Sequence, residues 1–152
     1  MKFSKPILFI TTVLMVSIAS CSKESEKSRK ELLTDKGCWK LLKVEVLYNS
    51  ANEFEDGTAL FRSSQECKKD DCYNFGKDNS YTVTEGATKC TASDPDILKS
   101  GTWSITEDNR VLITEANNIK KYLRIETLNE NTLIATDTIK SFTFKSVRYS
   151  YN

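Results

Sequence analysis

Five cysteines and no histidine set the chemistry open to this chain. A thiol can be acylated, oxidised to a disulfide, ionised to hold a metal, or used as a nucleophile. Without imidazole there is no Ser-His or Cys-His pair, no histidine metal ligand and no histidine pH switch. Cys38, Cys67, Cys72 and Cys90 lack the C-x-x-C spacing of zinc sites. Glu66, Asp70 and Asp71 fall close together, as do Asp94 and Asp96, but neither set follows EF-hand spacing. They read as solvated acidic surface. P-loop, dinucleotide-binding and G-x-S-x-G patterns are also missing. The chain is therefore expected to be non-enzymatic, with no catalytic residue, metal or cofactor.

Cys21 is set apart by what precedes it. Lys2 and Lys5 give a basic start, an apolar run extends from Pro6 to Ile18, and Ile18-Ala19-Ser20-Cys21 follows. The run falls short of the roughly 20 residues that cross a bilayer, and small residues close it, as in a secretory signal. This stretch resembles the lipobox of bacterial lipoprotein precursors. The resemblance implies removal of residues 1–20 and a diacylglyceryl thioether and an amide-linked acyl chain on Cys21. More than one chain makes the anchoring stable. Ser22, not aspartate, follows the cysteine, which implies the outer membrane. Lys23-Glu24-Ser25-Glu26 is similar to a Lys/acidic surface-export signal. The expected location is the cell outer membrane, on its periplasmic or surface face, with the bilayer as partner. Residues 21–35 are polar and read as a lipidated tether, with a short helix around Lys30 to Thr34.

Loss of residues 1–20 removes Lys2 and Lys5 and turns a net charge of +1 into −1. A balanced charge gives no reason to expect nucleic acid. Residues 36–152 suffice for one domain, expected to be a monomer. Once Cys21 carries lipid, the remaining cysteines form an even set in an oxidising compartment, which reads as two disulfides.

From Gly37 onward, short runs rich in Val, Ile, Thr and aromatics alternate with turn residues. Eight strands are expected: 38–48, 71–75, 80–85, 101–106, 110–115, 119–127, 132–136 and 139–149. A hairpin tip at Asp78-Asn79 lets the cysteines be tested. Residue numbers summing to 157 would face each other, which pairs Cys67 with Cys90. A sum of 156 sets Phe75 against Tyr81 and Tyr73 against Val83, better aromatic and β-branched pairs, and still leaves Cys67 and Cys90 within reach. That bridge would be worth about 3.5 kcal/mol in the chain-entropy model. Cys38–Cys72 then follows, and the other two connectivities stay open. Regular short strands and tight turns favour an all-β, eight-stranded antiparallel up-and-down barrel, since closure removes exposed edges.

Gly37-Cys38-Trp39, opening the first strand, resembles the first motif of the lipocalins. The order Gly-x-Trp-Lys-Leu, a long loop, Cys-Lys-Lys-Asp-Asp, Gly-Ala-Thr-Lys-Cys and Ser-Gly-Thr-Trp-Ser-Ile is similar to small bacterial lipocalin-like lipoproteins over about residues 36–150. The resemblance implies that Trp39 packs across the closed base of a barrel under an arginine of the last strand, here Arg148. A second G-x-W occurs as Gly101-Thr102-Trp103. A T-D-Y motif and a helix after the barrel are missing, which argues against a retinoid-type carrier.

In lipocalins the loop between strands one and two arches over the open mouth. Here it carries Phe54, Leu60 and Phe61, expected to fold inward as a lid. The first strand has one apolar face (Leu42, Val44, Val46, Tyr48) and one mixed face (Trp39, Leu41, Lys43, Glu45, Leu47). Without a bulge, an inward Trp39 brings Lys43 and Glu45 inside, whereas the opposite choice gives a greasy interior. The expected function is binding of a small apolar or amphipathic ligand. The alternative is a filled barrel acting as an interaction module for an envelope protein or surface glycan.

Overall fold

The computed structural model describes residues 27–59, 66–139 and 143–152. A helix, α1 (Arg29–Asp35), precedes nine strands: β1 (Leu41–Tyr48), β2 (Glu55–Asp56), β3 (Cys72–Phe75), β4 (Ser80–Thr84), β5 (Ile97–Ile105), β6 (Val111–Ala116), β7 (Ile119–Leu128), β8 (Leu133–Asp137) and β9 (Phe144–Tyr151). They form one sheet of order β2-β1-β9-β8-β7-β6-β5-β4-β3, with every pairing antiparallel.

Asparagine makes the turns. Asn79, Asn109, Asn117 and Asn118 all have positive φ, a conformation this side chain tolerates. Asn117-Asn118 joins β6 to β7 in a two-residue hairpin, with Ala116 opposite Ile119. The β3–β4 hairpin takes the 156 register, with Phe75 opposite Tyr81 and Tyr73 opposite Val83.

The expected all-β antiparallel fold is present with all eight strands, but a ninth is added and the sheet is not closed. The ninth strand is β2, two residues long, and nothing in a two-residue edge pairing produces an alternation readable from sequence. Among the described residues, the two sides of the sheet meet at a Trp39–Tyr73 bridge, where each N–H donates to the other's carbonyl, at 3.0 and 2.9 Å. The Cys38–Cys72 disulfide fastens the adjacent position, with Cα atoms 5.2 Å apart. Cys67–Cys90 closes the open end of the β3–β4 hairpin, Cα atoms 5.1 Å apart.

A bulge resolves the face of β1. Leu41 pairs with Tyr151 and Lys43 with Ser150, so Leu42 is an extra residue, and it is 52% exposed. The bulge flips the alternation. Trp39 and Leu41 therefore face inward, and so do Val44 and Val46, all but Leu41 fully buried. Lys43 and Glu45 fall outside.

Residues 29–35, read as the end of a tether, belong to the packed fold. Ser28 caps α1 in a capping box: its Oγ accepts from Glu31 N–H at 3.2 Å and its N–H donates to the Glu31 carboxylate at 2.7 Å. Gly37 ends the helix at φ +75°, a left-handed position that suits glycine. Leu33 is fully buried among Trp39, Phe75, Trp103 and Leu112. Arg29 reaches the Asn109 carbonyl at 2.6 Å, Lys30 the Asn79 side chain at 2.9 Å and Lys36 the Asn131 carbonyl at 3.4 Å. The helix thus braces three hairpin tips and closes one end of the sheet. Among the described residues, no helix is long and apolar enough to cross a membrane.

Candidate functional site

The interior is filled at the closed base and open at the other end. At the base the two G-x-W tryptophans play parallel parts. Trp39 is fully buried and donates from its indole N–H to the Leu33 carbonyl at 3.0 Å. Trp103 is 3% exposed and donates to the Gly76 carbonyl at 3.0 Å. Lys36 lies over the first ring, 4.8 Å from its centroid, and Lys30 over the second at 5.9 Å.

Arg148 does not cover Trp39. On β9, Val147 and Tyr151 are buried in the interior and Tyr149 lines the cavity described below, so strand alternation turns Arg148 outward. There it lies 3.6 Å from Glu45 and 3.0 Å from Glu126. Lys43 holds the other side of Glu45 at 2.8 Å, while Glu126 also contacts Arg124 at 3.3 Å and accepts from Thr136 at 2.6 Å. The result is an alternating charge ladder across β1, β9 and β7. Phe54 stacks on the Arg148 guanidinium, centroid distance 3.8 Å, and does not line the cavity. The lid reading of Phe54 is thereby corrected: the short β2 holds it against the outer face. Leu60, Phe61 and Cys21 lie outside the described residues.

A cavity of about 160 Å³ lies at the end away from α1. Leu41, Leu123 and four tyrosines (Tyr73, Tyr81, Tyr149 and Tyr151) form its apolar depth, with Thr114 as a buried hydroxyl. Its mouth is the β6–β7 hairpin, at Ala116, Asn117 and Ile119. Beside the cavity, a glycine sets how closely the strands approach. Gly101 pairs with Tyr81 on one side and Ala116 on the other. A Cβ on Gly101 would fall 1.8 Å from the Glu115 carbonyl oxygen, so only glycine permits this approach of β5 to β6.

Lys99 and Lys121 line the same cavity, from β5 and β7. Lys121 extends over the Tyr149 ring, 5.6 Å from its centroid. Burial, then the Lys121 and Lys68 charges, hold Lys99 below the usual lysine range. Burial, with the Asp137 charge next, pushes Tyr149 up to about 12. Burial raises Tyr81 and Tyr151 as well, so these phenols stay protonated at neutral pH.

The acidic residues near Cys67–Cys90 serve the loops. Asp70 accepts from Thr88 N–H at 3.0 Å, Asp94 from Thr91 N–H at 2.8 Å, and Asp96 pairs with Lys89 at 2.6 Å. Glu66 pairs with Lys69. Asp71 is buried, and burial raises its pKa.

The sequence reading placed none of these residues at a cavity: Leu41 stood on the mixed face of the first strand, and Tyr73 and Tyr81 served to set a register. The available signal was parity: Lys121, Leu123 and Ile125 alternate on one face of β7, as Tyr149 and Tyr151 do on β9.

A sheet wound around a packed interior, closed at one end and open at the other, is the arrangement that the lipocalin resemblance implied; the helix at the closed end was not part of that expectation. The lipocalin-like domain family matches residues 36–135. The chain belongs to that family. The crystal structure of a DUF4847 family protein from Bacteroides vulgatus ATCC 8482 is similar, with a TM-score of 0.51 at 10% identity, covering 80% of this chain and 94% of that one. At that identity the likeness concerns the lipocalin-like fold alone. No curated protein matches the chain.

Proposed function

We propose that this chain is an outer-membrane lipoprotein, anchored through acylated Cys21, whose lipocalin-like domain binds a small amphipathic molecule rather than turning one over. The observation that carries the binding reading is the open cavity, apolar in its depth and polar at its rim. It is smaller than the several hundred Å³ of a carrier for large lipids, because four tyrosine rings occupy much of the interior. Its existence favours ligand binding over a filled interaction module.

Native mass spectrometry of the chain extracted from its own membrane tests this reading. A co-purified small mass is expected, and Ala116→Phe, which fills the mouth, removes it. A protein free of adducts in both forms would contradict the ligand reading. The anchoring reading has its own test. Cys21→Ala should release the chain from the membrane fraction or leave it unprocessed, and unchanged anchoring and processing would contradict it.

A further inference from the structure

Resting on the ligand reading above, the placement of charge at the mouth narrows what the cavity can take. Lys99 and Lys121 stand on strands separated only by β6 and line the same space. Among the described residues, neither has a carboxylate within ion-pair distance. On the outer face, by contrast, lysines and arginines are matched: Lys43 with Glu45, Lys120 with Glu115, Arg148 with Glu45 and Glu126. The charges acting on Lys99 are both cations, Lys121 and Lys68. Two like charges beside one cavity repel each other, and an anion between them would relieve that cost. The acid whose charge acts on Tyr149 is Asp137 on β8, opposite Leu123 of β7, and it forms no ion pair with either lysine among the described residues.

Depth sets the other limit. An apolar cavity of about 150 Å³ holds a benzene-sized molecule, and this one measures about 160 Å³. A ring or a short alkyl chain fits among the tyrosines, and a long acyl chain does not.

We infer that the ligand is a compact amphiphile with a single anionic group: a ring-sized apolar body in the tyrosine-lined depth and a carboxylate, or a similar anion, between Lys99 and Lys121. The Lys121 ammonium already lies over the Tyr149 ring, so it contacts both the apolar wall and the site of the anion.

The test compares 3-phenylpropionate with its neutral counterpart 3-phenylpropanamide by isothermal titration calorimetry, on the full chain in lipid nanodiscs, with empty nanodiscs subtracted. At low ionic strength the carboxylate should bind about tenfold more tightly than the amide, and the ratio should shrink as salt is added. The double variant Lys99→Met, Lys121→Met keeps the aliphatic stems and should bring the two probes to equal affinity. Ala116→Phe, with an unchanged circular dichroism spectrum, should abolish both. Equal binding of the two probes by the unaltered chain, or a preference that survives in the double variant, would overturn the anionic assignment and leave the ligand reading standing. No binding of either probe, or binding that survives Ala116→Phe, would overturn both.

Discussion

The two ends of this domain are built on opposite principles. At the closed base, large residues are fully buried and their polar atoms are matched: Trp39 and Trp103 donate to backbone carbonyls, and α1 is tied to three hairpin tips. At the open end, Ala116 and four tyrosine rings line a cavity, and among the described residues its two lysines have no carboxylate within ion-pair distance. The base carries stability, and the open end gives some of it up to keep a cavity. Substitutions at the base should therefore cost folding free energy, and those at the mouth should change binding instead.

The largest effect should come from Trp39→Ala. It removes the indole at the centre of the base and should destabilise the domain by about 3–5 kcal/mol in urea denaturation. A loss under about 1 kcal/mol would erase the contrast between the ends. Next, Cys38→Ser with Cys72→Ser removes the clasp beside the Trp39–Tyr73 bridge and should cost about 2–4 kcal/mol by the same measurement.

Alkaline pH should act on the open half. Tyr149 titrates at about 12 in the fold against 10.0 when free. The unfolded chain therefore loses this proton first, and stability falls as pH rises from 10 toward 12, by about 2 kcal/mol. Tyr149→Phe should flatten that part of the curve, and an unchanged slope would contradict the burial of its hydroxyl. The smallest effect belongs to Lys99→Met. Because the folded state lowers the Lys99 pKa from 10.5, the unfolded chain binds that proton more readily. The charge opposes folding at neutral pH, and its cost fades as pH rises toward 10.5. The variant should gain up to about 0.5 kcal/mol at pH 7 and show no gain near pH 11. A loss of stability at pH 7 would mean that Lys99 is paired.

Much of the sheet could be read from the chain because hairpins are local. Turn asparagines and the aromatic pairing of Phe75 with Tyr81 specify the β3–β4 register, and that register brings Cys67 to Cys90. What could not be read depends on the third dimension. The Leu42 bulge inverts the face of β1 after Leu41, so strict alternation forced a choice between an inward Trp39 and an apolar interior when both hold. Arg148 was expected over Trp39, but its parity with Tyr149 and Tyr151 turns it toward Glu45 and Glu126. The helix brace was partly legible, since Ser28 and Glu31 have capping-box spacing. Its docking against the hairpin tips depends on contacts distant in sequence. Lys99 lies outside the strand expected at 101–106, and only the observed register brings it to one mouth with Lys121.

The most direct test of a closed base and a receptive open end is to map backbone amide chemical shifts by NMR while 3-phenylpropionate is added. The account predicts perturbations at Lys99, Thr114, Ala116, Lys121 and Leu123, with Leu33, Trp39 and Trp103 unmoved. Perturbations centred on the α1 end or on the Arg148 ladder, or none at the mouth, would contradict it.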